Sequence, residues 1–161
     1  MTSTAVTFVV KGVAQPKGNL RTRGYVDKAG EIHTRAYEAG KGARPWMQIV
    51  NRAAQDYAGG VYFGKHVAVR IAIAFFLPRP DLPKRFRRPV KKPDIDKLTR
   101  AVLDGLKGVV YHDDGQVVDL IVRKAFAMTE PHVRVVVDHA EPLDEITVQE
   151  DLFAGLEEIR R

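Results

Sequence analysis

The sequence predicts an α+β protein: a mixed, largely antiparallel sheet with helices packed on it. Three observations lead there. Apolar residues alternate at period two over residues 6–10 and 67–77, recur at helical spacing over 46–57 and 98–106, and are separated at 28–30 and 112–115 by turn signals that favour hairpins. A length of 161 residues fits one domain rather than two.

Val6, Phe8 and Val10 alternate with Thr7 and Val9, which reads as a first strand with one face in the core. Residues 16–23 form a turn-rich basic loop, and 24–34 a short hairpin around Lys28-Ala29-Gly30. Pro45 suits a helix's first turn; Trp46, Ile49, Val50, Ala53, Ala54 and Tyr57 follow helical spacing until Gly59-Gly60 stops it, so Trp46 is expected in the core. Between His66 and Leu77 both faces are apolar, the pattern of a central strand. Leu98, Ala101, Val102, Leu103 and Leu106 share one arc of a second helix, opposite Lys97, Arg100, Asp104 and Lys107, and Gly108 should end it. Residues 109–111 and 116–125 bracket His112-Asp113-Asp114-Gly115 as a second hairpin, and 133–138 reads as the last strand. Beyond it, Leu152, Phe153, Leu156 and Ile159 recur at helical spacing in an acidic extension, giving an expected division into residues 1–138 and 139–161.

Composition narrows the class. With 45 % apolar and 29 % charged residues the chain is not disordered, and with no cysteine it has no disulfide, thiolate metal site or cysteine nucleophile. The start lacks a basic targeting region and the longest apolar run, 71–77, is too short to span a bilayer, so a soluble cytoplasmic, nucleoid-associated protein is expected. The net charge of +6 is unevenly spread. Residues 78–100 carry nine bases against three acids, while 138–161 carry two bases against eight acids. The basic segment holds Lys84, Arg85, Arg87, Arg88, Lys91 and Lys92 among five prolines, and so should be an extended loop. Read functionally, it is an arm that orders on a phosphate backbone, and nucleic acid is the leading partner; read blandly, it is a solvated linker. The acidic extension has two readings as well, a phosphate mimic folded over the basic surface or a solvated helix docking its apolar stripe.

The strongest chemical signal is acidic. Pro93 favours extended backbone before it, and extension as far as Asp96 would project Asp94 and Asp96 to one side with Ile95 in the core. The following helix and turn could then return Asp113 and Asp114 to the same place. Clustered carboxylates need a cation to stay ionised together, and oxygen-only ligands select a hard ion such as Mg²⁺ or Mn²⁺, suited to a phosphodiester. The innocent reading makes Asp96 the N-cap of its helix and Asp114-Gly115 ordinary turn chemistry. His112, a lone turn histidine, stays outside the candidate set.

The run over residues 92–124, which opens Lys92-Pro93-Asp94-Ile95-Asp96 and passes through Asp113-Asp114-Gly115-Gln116, resembles the signature region of RusA-type Holliday junction resolvases. These are endodeoxyribonucleases common in phages and prophages. The resemblance implies a small homodimer that binds four-way DNA junctions and nicks them with Mg²⁺ in recombination and repair. It implies that Asp94, Asp96 and Asp114 are catalytic metal ligands, with Asp113 auxiliary. Where the family has an essential lysine, four residues after the second aspartate, this chain has Arg100, and where asparagine usually follows that aspartate it has Lys97. Arg100 keeps the positive charge but does not readily donate a proton. Hence two expectations: a branched-DNA nuclease with Arg100 and Lys97 beside the phosphate and Lys84, Arg85, Arg87, Arg88, Lys91 and Lys92 on the backbone, or a relative that binds junctions with little or no activity.

Overall fold

The computed structural model describes residues 5–18, 20–38, 42–81 and 87–142. In chain order the elements are β1 (Val6–Lys11), β2 (Leu20–Val26), β3 (Ile32–Glu38), α1 (Ala43–Tyr57), β4 (Val69–Leu77), α2 (Ile95–Leu106), a 3-10 turn (Asp114–Gln116), β5 (Val117–Phe126) and β6 (His132–His139). The main sheet runs β1-β6-β4-β5, with β1–β6 and β6–β4 antiparallel and β4–β5 parallel; β2 and β3 form a separate antiparallel hairpin. This is an α+β fold with a mixed, mostly antiparallel sheet and both helices packed on it.

Alternation decides which faces meet. Val6, Phe8 and Val10 of β1, Ile71, Ile73 and Phe75 of β4, and Val133, Val135 and Val137 of β6 are all buried. Trp46, Val50 and Ala54 of α1 and Leu98, Ala101, Val102 and Leu106 of α2 complete that core. Each large apolar side chain removed from water contributes roughly 1.5–3 kcal/mol. β4 lies between β6 and β5, the central position that its two apolar faces predict. The helices approach closely at Gly105, where an added Cβ would stand 2.8 Å from Val50 and 3.0 Å from the Met47 carbonyl. Gly108 follows α2 at a φ of 77°, a left-handed value natural to glycine after a helix end.

Two expectations are overturned. Residues 109–111 are not a strand hairpinned to 116–125: Val109 and Val110 lie in a turn, Tyr111 makes only isolated bridges, and β5 pairs in parallel with β4. Val110 and Tyr111 are apolar because they are fully buried, not because they alternate in a sheet. Nor is Asp96 an N-cap. The helix begins at Ile95 with Asp94 before it, so the extension that would align Asp94 with Asp96 stops early and Ile95 stays 37 % exposed. The acidic extension from residue 143 onward, and Lys84, Arg85 and Phe86 of the basic loop, lie outside the described residues. No helix among the described residues is long and apolar enough to cross a membrane.

Candidate active site

The Asp94-Ile95-Asp96 segment stands where the basic loop becomes α2. Asp94 is extended, with φ −70° and ψ 137°, and its carbonyl accepts the Leu98 N–H at 3.1 Å, closing the first helical turn. Its carboxylate caps nothing and instead meets the Lys97 ammonium at 3.0 Å. That hydrogen bond, then the charges of Lys97, Lys92 and Lys124, hold the Asp94 carboxyl below the usual carboxylate range. Asp96 is exposed in the first turn, where the helix dipole favours a negative charge. Arg100 is exposed one turn further on. It does not pair with Asp104, whose carboxylate is taken by Lys17. Arg87, Arg88, Lys91 and Lys92 are exposed on the approach to the helix, and Lys97 is half-buried.

Lys124, near the end of β5, donates to the Lys91 carbonyl at 3.1 Å and the Pro93 carbonyl at 3.0 Å, and so pins the loop just before Asp94. Sequence reading did not single it out. Its signal was faint, since Lys124 is one of three charged residues in β5, with Asp119 and Arg123, and nothing in the sequence sets it apart from them.

The second acidic pair has a different setting. Asp113 caps the 3-10 turn, accepting the Gly115 N–H at 3.0 Å, while the Gln116 carboxamide oxygen accepts the His112 and Asp113 N–H groups, each at 2.9 Å. The Asp-x-x-Gln spacing of a capping box was therefore readable in advance. The Gln116 amide also donates to the Gly64 and Val67 carbonyls, at 2.7 and 2.9 Å, fastening this turn to the entry of β4. The Lys107 ammonium bonds Asp113 and lies 3.6 Å from Asp114. It depresses the Asp113 carboxyl far below its ordinary value and is itself raised in return. Burial, reinforced by the nearby charge of Asp114, keeps the Tyr111 phenol protonated; its hydroxyl donates to the Leu103 carbonyl at 2.8 Å.

The placement of Lys107 settles which residues come together. It stands at the C-terminal end of α2 and Asp94 at the N-terminal end, and a helix of 12 residues is about 18 Å long. Asp94 and Asp96 thus share one end of α2 with Lys91, Lys92, Lys97, Arg100 and Lys124, while Asp113 and Asp114 stand at the other with Lys107. The fold does not return the second pair to the first within one chain. Each end nevertheless offers two carboxylates, the complement with which Mg²⁺ is commonly held, since it keeps several waters and takes phosphate oxygens as further ligands.

Among the described residues, a group of three acidic or histidine ligand atoms within 4.8 Å of one another stands elsewhere, on Asp27, Glu31 and His33 at the tip of the β2–β3 hairpin. There Asp27 accepts the Ala29 and Glu31 N–H groups, each at 2.9 Å, and lies 2.8 Å from the His33 ring. Its oxygens already brace the turn.

The family model described as endodeoxyribonuclease RusA matches residues 14–138, which span both acidic pairs and the whole main sheet except β1 and the last residue of β6. An uncharacterized protein, YqaN of Bacillus subtilis (strain 168), is 30 % identical over 143 residues, covering 82 % of this chain and 94 % of the relative. With its basic loop, its acidic helix start and a match across most of its length, this chain belongs to the RusA family of endodeoxyribonucleases.

Proposed function

We propose that the protein is a Mg²⁺-dependent endodeoxyribonuclease that nicks Holliday junctions or related branched DNA, as a homodimer, in recombination and repair. The observation that carries this reading is the position of Asp94 and Asp96 at the start of α2 beside Lys91, Lys92, Lys97 and Arg100, in a chain of this family. Asp94 and Asp96 hold the ion, with Asp114 and its neighbour Asp113 as the further carboxylates; Mn²⁺ has the same preference for oxygen and can replace it. Because α2 separates the two pairs in one chain, a site using all of them takes the Asp113–Asp114 end of a second chain. Such a contact is the same in both directions of a two-fold dimer and makes two equivalent sites, matched to a junction that is itself nearly two-fold.

When bound, the ion supplies Lewis-acid polarisation of a phosphodiester and lowers the pKa of an attacking water. The remaining work falls to side chains. Arg87, Arg88, Lys91 and Lys92, together with Lys84 and Arg85, hold the DNA backbone without reading bases. Lys97 keeps Asp94 ionised, and Arg100 offsets charge that develops on the phosphate.

The test is cleavage of a labelled four-way junction, beside flaps, forks and duplex. The wild type should nick the junction in Mg²⁺ or Mn²⁺ and bind it unchanged in EDTA. Asp96→Asn should lose activity by roughly a hundredfold or more, since several kcal/mol of transition-state stabilisation vanish at 1.36 kcal/mol per decade. Equal rates for the two proteins would leave Asp96 a surface residue of its helix. Binding without nicking in either metal would make the chain a junction-binding protein instead.

A further inference from the structure

A cavity of about 360 Å³ opens beside the N-terminal end of α2, where the segment after β1, the end of β4, the basic loop and the end of β5 meet. Its walls are apolar and conformationally stiff, built by Ala14, Pro78, Pro80, Pro89, Pro93 and the ring of Phe126. The lining also includes Arg88, Lys91 and Lys92, all exposed. Outside that lining, the Arg79 guanidinium stands 5.5 Å from the centre of the Phe126 ring. The apolar lining continues outward to Val90, which is 75 % exposed. Lys124 holds one wall in place through the carbonyls of Lys91 and Pro93.

These features restrict the occupant. An apolar side chain of a partner would gain nothing from a margin of cations, and a bare phosphate would leave the proline walls uncovered. A nucleobase still joined to its phosphates uses both parts, and the volume falls within the usual range for small-ligand sites. Position agrees with chemistry, because Pro93 lines the cavity and the next residue is Asp94.

We propose that this cavity receives one nucleobase unstacked from a DNA strand at a branch point, with the flanking phosphates on Arg88, Lys91 and Lys92. The inference rests on the nuclease reading above and deepens it by naming the source of selectivity for branched DNA. In continuous duplex every base is stacked and paired, and extracting one is unfavourable; at a branch the stack is already interrupted, so the same base leaves at lower cost. Apolar walls accept any base by its faces, which makes the preference one of DNA shape rather than sequence.

The experiment places 2-aminopurine beside the crossover of a four-way junction and follows its emission on binding the full chain in EDTA, so that no cleavage intervenes. A severalfold emission change is expected at the crossover and none with the probe in mid-arm. Val90→Trp, which crowds the exposed mouth, and Ala14→Phe, which fills the interior, should both abolish the change and lower the junction-to-duplex affinity ratio by roughly tenfold, within the range set by loss of one stacked base. Val90→Trp alters no buried residue, so it stands if Ala14→Phe fails to fold. Constant emission at every crossover position with wild-type protein bound, or an unchanged affinity ratio in folded Val90→Trp, overturns the proposal. Nicking in Mg²⁺ without an emission change refutes the base site and leaves the nuclease; an emission change without nicking does the reverse. Absence of any junction binding refutes both.

Discussion

At the scale of single residues, the most informative position is Arg100. It stands one turn beyond Asp96, exposed and, among the described residues, without an ion pair. Arg100→Ala should slow junction cleavage by roughly a hundredfold, the usual consequence of removing one electrostatic stabiliser, and Arg100→Lys should recover most of that rate. Single-turnover cleavage with saturating protein measures both. Asp27 gives a second prediction, about pH. Its hydrogen bond with His33, followed by the Glu31 N–H, holds its carboxyl below the usual range. An acid lowered in the folded state adds stability above its unfolded pKa, near 3.9 for aspartate, and loses it as pH falls through the lower folded value. Amide protection at Ala29 and Glu31 should therefore decline below about pH 4 while that of β4 persists, as hydrogen exchange would show. The identities of the acidic residues were legible in the sequence. Their surroundings were less so: Lys97 taking the Asp94 carboxylate follows from helical spacing once the helix start is known, whereas Lys124 reaching the Pro93 carbonyl depends on which strand lies beside the loop.

Elements show why the rest was hidden. A hairpin at His112-Asp113-Asp114-Gly115 implies antiparallel return, and antiparallel return would carry the second acidic pair toward the first. The chain instead crosses from β4 through α2 to a parallel β5, and such a crossover sends the helix back along the strands. The residues between its end and β5 then lie a full helix length from its start. Nothing local distinguishes the two outcomes, since Val109 and Val110 are apolar in either. Helix periodicity, by contrast, gave α1 and α2 to within a few residues, because one apolar arc on each packs against the sheet or the other helix. The contact between them makes a clean test. Gly105→Ala places a Cβ 2.8 Å from Val50, with backbone on the other side, so overpacking should cost roughly 1–3 kcal/mol and lower Tm by several degrees in a thermal melt.

For the whole molecule, charge distribution was the most legible property, because it needs no geometry. Arg87 and Arg88 are exposed, as a backbone-gripping arm requires. If each touches one phosphate, removing both to alanine should flatten the slope of log affinity against log salt by about 1.8, at 0.9 per contact. Fluorescence anisotropy across a salt series reads that slope, and an unchanged slope would return the loop to a solvated linker. The overall sheet order could not be read in the same way, since strands far apart in sequence share no local signature. Its outermost pair has a bearing on biosynthesis. β1 hydrogen-bonds to β6, Val6 opposite Val137 and Lys11 opposite His132, so β1, synthesised before the other described strands, waits for β6, synthesised after them. Until His132 and its successors emerge, β1 and one flank of β4 stay unzipped, and a prematurely terminated polypeptide ending at Phe126 would present them as sticky tape to chaperones and proteases.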